Sequence, residues 1–266
     1  MDKFFDCSDG ARLFYKVDDF TDPWRESPAM VFVHGFAESG EVWRGWVPYF
    51  ARRFRVVRVD LRGFGRSTPM PESFAWTMDV LAADLAAFIR HLGCGPVHLV
   101  GAKSGGAMTF KLAAQHPELV RTLTVITPSV RSSSESADAW IAQIKEKGLH
   151  AWARDTNRKR LGSTVSQGEF DWWVNDLHGK TPLSTVLGYL RMVPGMDVRD
   201  DLDKVVCPTL IIMTAGPGRR SIESYKEWQP RIKNSELLTI EGDAYHPSGV
   251  YPDRCAQATV PFIDRH

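Results

Sequence analysis

The apolar run Val97-His98-Leu99-Val100-Gly101-Ala102 stops at Ser104, and a helix-like pattern follows through Gly105, Gly106, Ala107, Met108 and Phe110. Two small residues, Ala102 and Gly106, stand two places to either side of that serine. Small-x-Ser-x-small is the pattern of a nucleophile elbow, in which a strained turn lifts a hydroxyl above the carboxyl end of a strand and neighbouring backbones approach too closely for side chains. The chemistry of such a serine is attack on a carbonyl, with a base to take its proton. A plain strand–glycine–helix turn in any α/β protein has the same outline, so context decides. Part of that context is the loop His34-Gly35-Phe36 after the apolar run 29–33. In this kind of site the backbone N–H groups of Phe36 and of Gly105 would receive the negative charge of a tetrahedral intermediate. The structural alternative is a glycine turn beside a histidine that only packs.

The elements that must position these groups alternate along the chain. Residues 29–33 form a continuous apolar strand, the pattern of one buried on both faces of a parallel sheet. Residues 55–61, 120–127, 210–214 and 237–240 read as further strands, 43–50 as a helix, and 78–92 as a helix with Leu81, Leu85, Phe88 and Leu92 at helical spacing. Residues 3–7 and 11–17 read as a hairpin across Ser8-Asp9-Gly10. The expected fold class is α/β, a mostly parallel central sheet flanked by helices. Asp60, at a strand end before Leu61-Arg62-Gly63, reads as an acceptor that holds its loop rather than a catalytic acid.

The chain of 266 residues, 43% of them apolar, suits one large domain with an insertion better than two independent ones. A net charge of +1 carries no nucleic-acid footprint and no acidic tail. No apolar run is long enough to span a bilayer, and the first residues do not read as a signal peptide. Cys7, Cys94, Cys207 and Cys255 are scattered without metal-ligand spacing, as in reduced thiols of a cytoplasmic protein. No metal and no cofactor is expected, and the expected partner is a small-molecule substrate rather than nucleic acid or membrane. Pairing into a homodimer is left open.

In order along the chain, Val33-His34-Gly35-Phe36, Asp60-Leu61-Arg62-Gly63-Phe64-Gly65-Arg66-Ser67, the Ser104 elbow, Cys207-Pro208-Thr209-Leu210 and Gly242-Asp243-Ala244-Tyr245-His246 resemble the α/β-hydrolase superfamily, specifically its small bacterial enol-lactonases and ring-cleavage-product hydrolases. The resemblance implies a core of residues 1–130 and 207–266 and a helical cap over 131–206. It implies His246 as the base for Ser104, and a cap that lines the substrate pocket with tryptophans, the candidates being Trp140, Trp152 and Trp172. A serine at Ser104 argues against dehalogenase or epoxide-hydrolase chemistry, which the resemblance associates with aspartate there.

The family's third catalytic residue, an acid, is missing from its usual place. The stretch Thr214-Ala215-Gly216-Pro217-Gly218-Arg219-Arg220 has no carboxylate before Glu223. Glu223 is the candidate nearest to the expected loop, Glu135 and Asp138 follow the preceding strand, and a Ser104–His246 dyad is the remaining choice. Lys103 either serves the site, pairing with a carboxylate or favouring a negatively charged species, or, the reading favoured, points away to a structural acid. The cluster Arg154, Arg158, Lys159, Arg160 with His150 either faces an anionic substrate or, the reading favoured, is a solvated helix face. The leading expectation is a hydrolase of a small ester, lactone or related carbonyl compound through an acyl-serine. The alternatives are a C–C hydrolase or lyase on the same fold, and a binding protein on a degenerate hydrolase scaffold.

Overall fold

A computed structural model describes residues 3–132, 134–215 and 221–266, with the backbone alone at 134–136. Eight strands form one sheet: β1 (Lys3–Asp6), β2 (Arg12–Asp18), β3 (Ala29–Val33), β4 (Arg55–Val59), β5 (Val97–Ala102), β6 (Val120–Ile126), β7 (Thr209–Thr214) and β8 (Ser235–Ile240). Their order is β1-β2-β4-β3-β5-β6-β7-β8, with β1 and β2 antiparallel and β4 to β8 parallel. β3, β5 and β7 are buried along their whole length, as unbroken apolar runs covered on both faces must be.

The helices are α1 (Val47–Phe50), α2 (Met78–Leu92), α3 (Lys103–Gln115), α4 (Ser134–Lys147), α5 (Leu149–Asn157), α6 (Gln167–Trp172), α7 (Leu183–Met192), α8 (Ile222–Lys226), α9 (Pro247–Val250) and α10 (Pro252–Asp264). The helix expected over 43–50 is instead a 3-10 turn, Gly40–Trp46, running into α1. Thr77 caps α2 by accepting from Val80 N, and Gly93 closes it in the left-handed conformation. Between β6 and β7 the chain is built from helices, α4 to α7 and the short turns that join them, and no strand interrupts them among the described residues.

In the sheet β3 has β4, the next strand in the chain, on one side and β5 on the other, so the strand order reverses at β3. Such a reversal opens a crevice at the carboxyl ends of the two strands, where the loops diverge instead of covering one another. The loop after β3 and the start of α3 both emerge there.

Candidate active site

β5 passes into α3 without a connecting residue, so one residue must absorb the whole change of direction. That residue is Lys103, at φ +55°. The expectation that Ser104 occupies the elbow is therefore corrected by one place. Counted from Lys103, the small residues two places away are Gly101 and Gly105. A Cβ on Gly105 would come within 2.2 Å of the His34 carbonyl oxygen, and one on Gly101 within 2.8 Å of Thr109 Oγ1. These are the close approaches that an elbow imposes. Ser104 lies in the first turn of α3, buried, with its hydroxyl beside that of Tyr189 and no hydrogen bond to His246. The sequence carries this as the Gly-x-Lys-x-Gly spacing of Gly101, Lys103 and Gly105, overlapping the Ala-x-Ser-x-Gly spacing of Ala102, Ser104 and Gly106.

His246 sits buried at the head of α9. Its Nδ1 is 2.9 Å from Oε1 of Glu38. Glu38 follows the β3 loop, where Ala37 at φ +59° turns the chain so that the carboxylate folds back beneath the loop and accepts the Gly35 N–H at 3.0 Å. Burial pushes the Glu38 carboxyl up to about 7, while the Gly35 N–H and the charges of Lys103 and Arg160 act to lower it. The geometry does not bring Glu223 to His246: Glu223 is exposed in the first turn of α8. Asp138 is exposed on α4, and the side chain of Glu135 and residues 216–220 lie outside the described residues. Glu38 precedes the elbow in the chain, whereas the resemblance places the acid after the later strands. Its signal was a lone carboxylate in a loop of small residues, Gly35-Phe36-Ala37-Glu38-Ser39-Gly40.

The Trp173 ring lies 5.2 Å from the His246 ring and that of His178 lies 5.6 Å away. His178 is fully buried, its Nδ1 2.9 Å from Asn157 Oδ1, and burial together with Arg160 holds it well below the usual histidine range, hence neutral. Glu38, His178 and His246 offer three ligand atoms within 4.8 Å of one another. A cation there would share its surroundings with Lys103 and Arg160, whose positive charge already acts on Glu38. The trio therefore fits an acid–base pair with a neutral neighbour better than a metal centre.

The β3 loop is tied from below. His34 Nε2 accepts the Leu61 N–H at 2.9 Å and Nδ1 lies 2.7 Å from the Gly35 carbonyl oxygen, so the ring serves as a neutral bridge, its pKa lowered to about 4 by burial. Asp60 accepts from Gly40 N at 2.6 Å and Arg66 N at 2.8 Å, joining the β3 and β4 loops. The three described non-glycine residues at positive φ, Ala37, Lys103 and Thr127, follow β3, β5 and β6. Strain is thus concentrated at the carboxyl edge of the sheet, where function tends to hold it.

These loops floor a cavity of about 330 Å³. Phe36, Lys103, Ser104 and His246 line it, whereas Gly105 is packed against the end of β3 and does not. Of the three tryptophans expected there, Trp140 lines the cavity and stacks on Phe36 at 6.3 Å. Trp152 is buried behind that pair, and Trp172 rests on Trp173 away from the cavity. Two expectations about cations are also corrected. Lys103 faces the cavity with Nζ 3.2 Å from the Tyr245 ring centroid, and Arg160 is buried in the cavity wall over Trp140 and Trp152. Arg154, Arg158 and Lys159 stay exposed.

The family model for the alpha/beta hydrolase fold matches residues 28–167, more than half of the chain. The chain belongs to the α/β-hydrolase family. Among curated α/β-hydrolase relatives, bifunctional epoxide hydrolase 2 of Sus scrofa is 35% identical over 108 residues, 40% of this chain and 20% of its own. A non-heme haloperoxidase of Rhodococcus erythropolis is 28% identical and matches 98% of this chain and 99% of its own length. The first curated relatives are matched over only 20 to 39% of their length. The enol-lactonase of Burkholderia xenovorans LB400 superposes with a TM-score of 0.88 over 98% of this α/β-hydrolase and 100% of its own chain, at 18% identity.

Proposed function

We propose that this α/β-hydrolase is an enzyme that cleaves a bond beside the carbonyl of a small substrate held in the cavity, with His246 as the acid–base group and Glu38 orienting it. The observation that carries this reading is the 2.9 Å approach of a buried carboxylate to Nδ1 of a buried histidine that borders the cavity. A carboxylate so placed selects one tautomer, leaves Nε2 as the working atom and stabilises the imidazolium formed when it takes a proton. The Phe36 loop supports stabilisation of the developing oxyanion, and with Lys103 at the elbow its partner N–H is that of Ser104.

Hydrolysis of an ester or lactone is the first form of the reaction, supported by the likeness to the enol-lactonase, with the attacking oxygen drawn from Ser104 or from water. The second form, cleavage of a C–C bond, is favoured by a specific observation: the elbow presents an amine rather than a hydroxyl. The test is turnover of p-nitrophenyl acetate with fluorophosphonate labelling read by intact mass, on wild type, Ser104→Ala, His246→Gln and Glu38→Gln. Loss of turnover by ~10³-fold or more in the His246 and Glu38 variants is expected. Full activity in both would overturn the reading. A fluorophosphonate adduct that disappears in Ser104→Ala would assign the nucleophile to Ser104, and a wild type that turns over without an adduct would assign the oxygen to water.

A further inference from the structure

We infer that Lys103 is a covalent catalytic residue, whose amine condenses with the ketone or aldehyde carbonyl of a small substrate and uses the resulting iminium to accept the electrons of a neighbouring C–C bond. The inference rests on the reading of His246 and Glu38 as the acid–base pair and names the substrate class of that site.

Its first support is position. Of the three described residues at positive φ along this edge, Ala37, Lys103 and Thr127, Lys103 is the one that lines the cavity, and it carries an amine. Left-handed backbone at a residue with a Cβ costs ~1 kcal/mol or more, and a glycine would adopt it without strain. A lysine held there at 4% exposure, inside the cavity, is poorly explained as a packing residue. A second support is its surroundings. Nζ lies against the Tyr245 ring, and Lys103 is near enough to Glu38 to act on its charge, so the amine shares one cavity with the proton-transfer pair. A third is volume: about 330 Å³ suits a small ketone and its leaving fragment.

With a β-hydroxy ketone the steps balance without an oxidant or reductant. The amine adds to the carbonyl, and loss of water leaves an iminium on Nζ. His246 takes the proton of the β-hydroxyl as the C–C bond breaks. The oxygen keeps its electrons as the carbonyl of a departing aldehyde, and the bonding pair passes into an enamine. The enamine carbon regains the proton from His246, and water hydrolyses the iminium to free the ketone and the lysine. One aldol gives one ketone and one aldehyde. An ester has no such path, because amine attack would end in an amide.

The probe is 2,4-pentanedione, which condenses with an amine to a conjugated, ultraviolet-absorbing enaminone and adds its own mass less one water. On the full chain at neutral pH the expected result is one adduct per chain, mapped to the peptide holding Lys103 and formed at least about tenfold faster than on surface lysines. Lys103→Arg and Lys103→Gly, each checked by thermal melting, should lose that fast phase, and the glycine suits the turn so that folding is retained. A folded wild type with no fast adduct, or the same adduct in both variants, overturns the inference. His246→Gln separates the two readings, since it should form the adduct and lose turnover. Turnover that survives His246→Gln defeats the acid–base reading, whereas absence of the adduct with His246-dependent turnover intact defeats Lys103 alone.

Discussion

Glu38 and Lys103 make the sharpest claims at the residue scale. Because burial raises the Glu38 carboxyl to about 7, its negative charge is present above that pH and lost below it. His246 loses the charge that stabilises its imidazolium as pH falls through about 7, so kcat/KM should fall there, read from a pH–rate profile. Stability moves the other way. A carboxyl with a raised folded pKa binds its proton more tightly folded than unfolded, so the protein loses stability as pH rises from the usual glutamate range through about 7. Glu38→Gln should therefore raise Tm more at pH 8 than at pH 5, while Glu223→Gln should change neither Tm nor kcat. The elbow makes a second prediction. Lys103→Ser puts a hydroxyl at the turn and should raise fluorophosphonate labelling at least about tenfold over wild type, whereas a serine already working at Ser104 would leave that rate unchanged.

At the scale of elements, the junctions of β3 and β5 with their loops are where packing leaves no room. Gly105→Ala would drive a Cβ into the His34 carbonyl, so α3 must shift away from β3 and carry Lys103 with it. The expected loss is about 1–3 kcal/mol in denaturant unfolding, with turnover lost by a larger factor than stability accounts for. Gly168→Ala is the matched control. It lies in α6, with nothing within 4 Å of a Cβ, and should stabilise by about 0.5–1 kcal/mol through helix propensity.

At the scale of the whole molecule, the sheet buries groups that must charge in acid. His98, in β5 with its Nδ1 2.8 Å from Thr122 Oγ1, has its pKa lowered to about 4 by burial, with Arg121 and Arg53 acting the same way. Between about 4 and 6.5 the unfolded chain binds a proton at this site and the folded chain does not, so stability falls as pH falls through that window. His98→Gln should keep a polar partner for Thr122 and lose less Tm between pH 6.5 and pH 4 than wild type does. Asp60, raised to about 6 by burial, and Glu38 work against this slope, so comparing the histidine variant with wild type shows what His98 alone contributes. No helix among the described residues is long and apolar enough to cross a membrane.

The alternation of apolar runs with helical spacing determined the sheet, its parallel sense and the junction at the end of β5, because periodicity and turn composition are local properties that burial reads directly. The tie between Asp60 and its loop was legible for the same reason, carried by a short motif, and the motif around His246 marks the histidine that the fold sets at the edge of the cavity. The acid was not legible. Glu38 and His246 are more than two hundred positions apart, and only the fold of the β3 loop against α9 sets their atoms 2.9 Å from each other. Nor could spacing say which of Lys103 and Ser104 absorbs the turn, since small residues flank both. That choice was made by the close approach of Gly105, in the first turn of α3, to the end of β3, a contact that exists only in three dimensions.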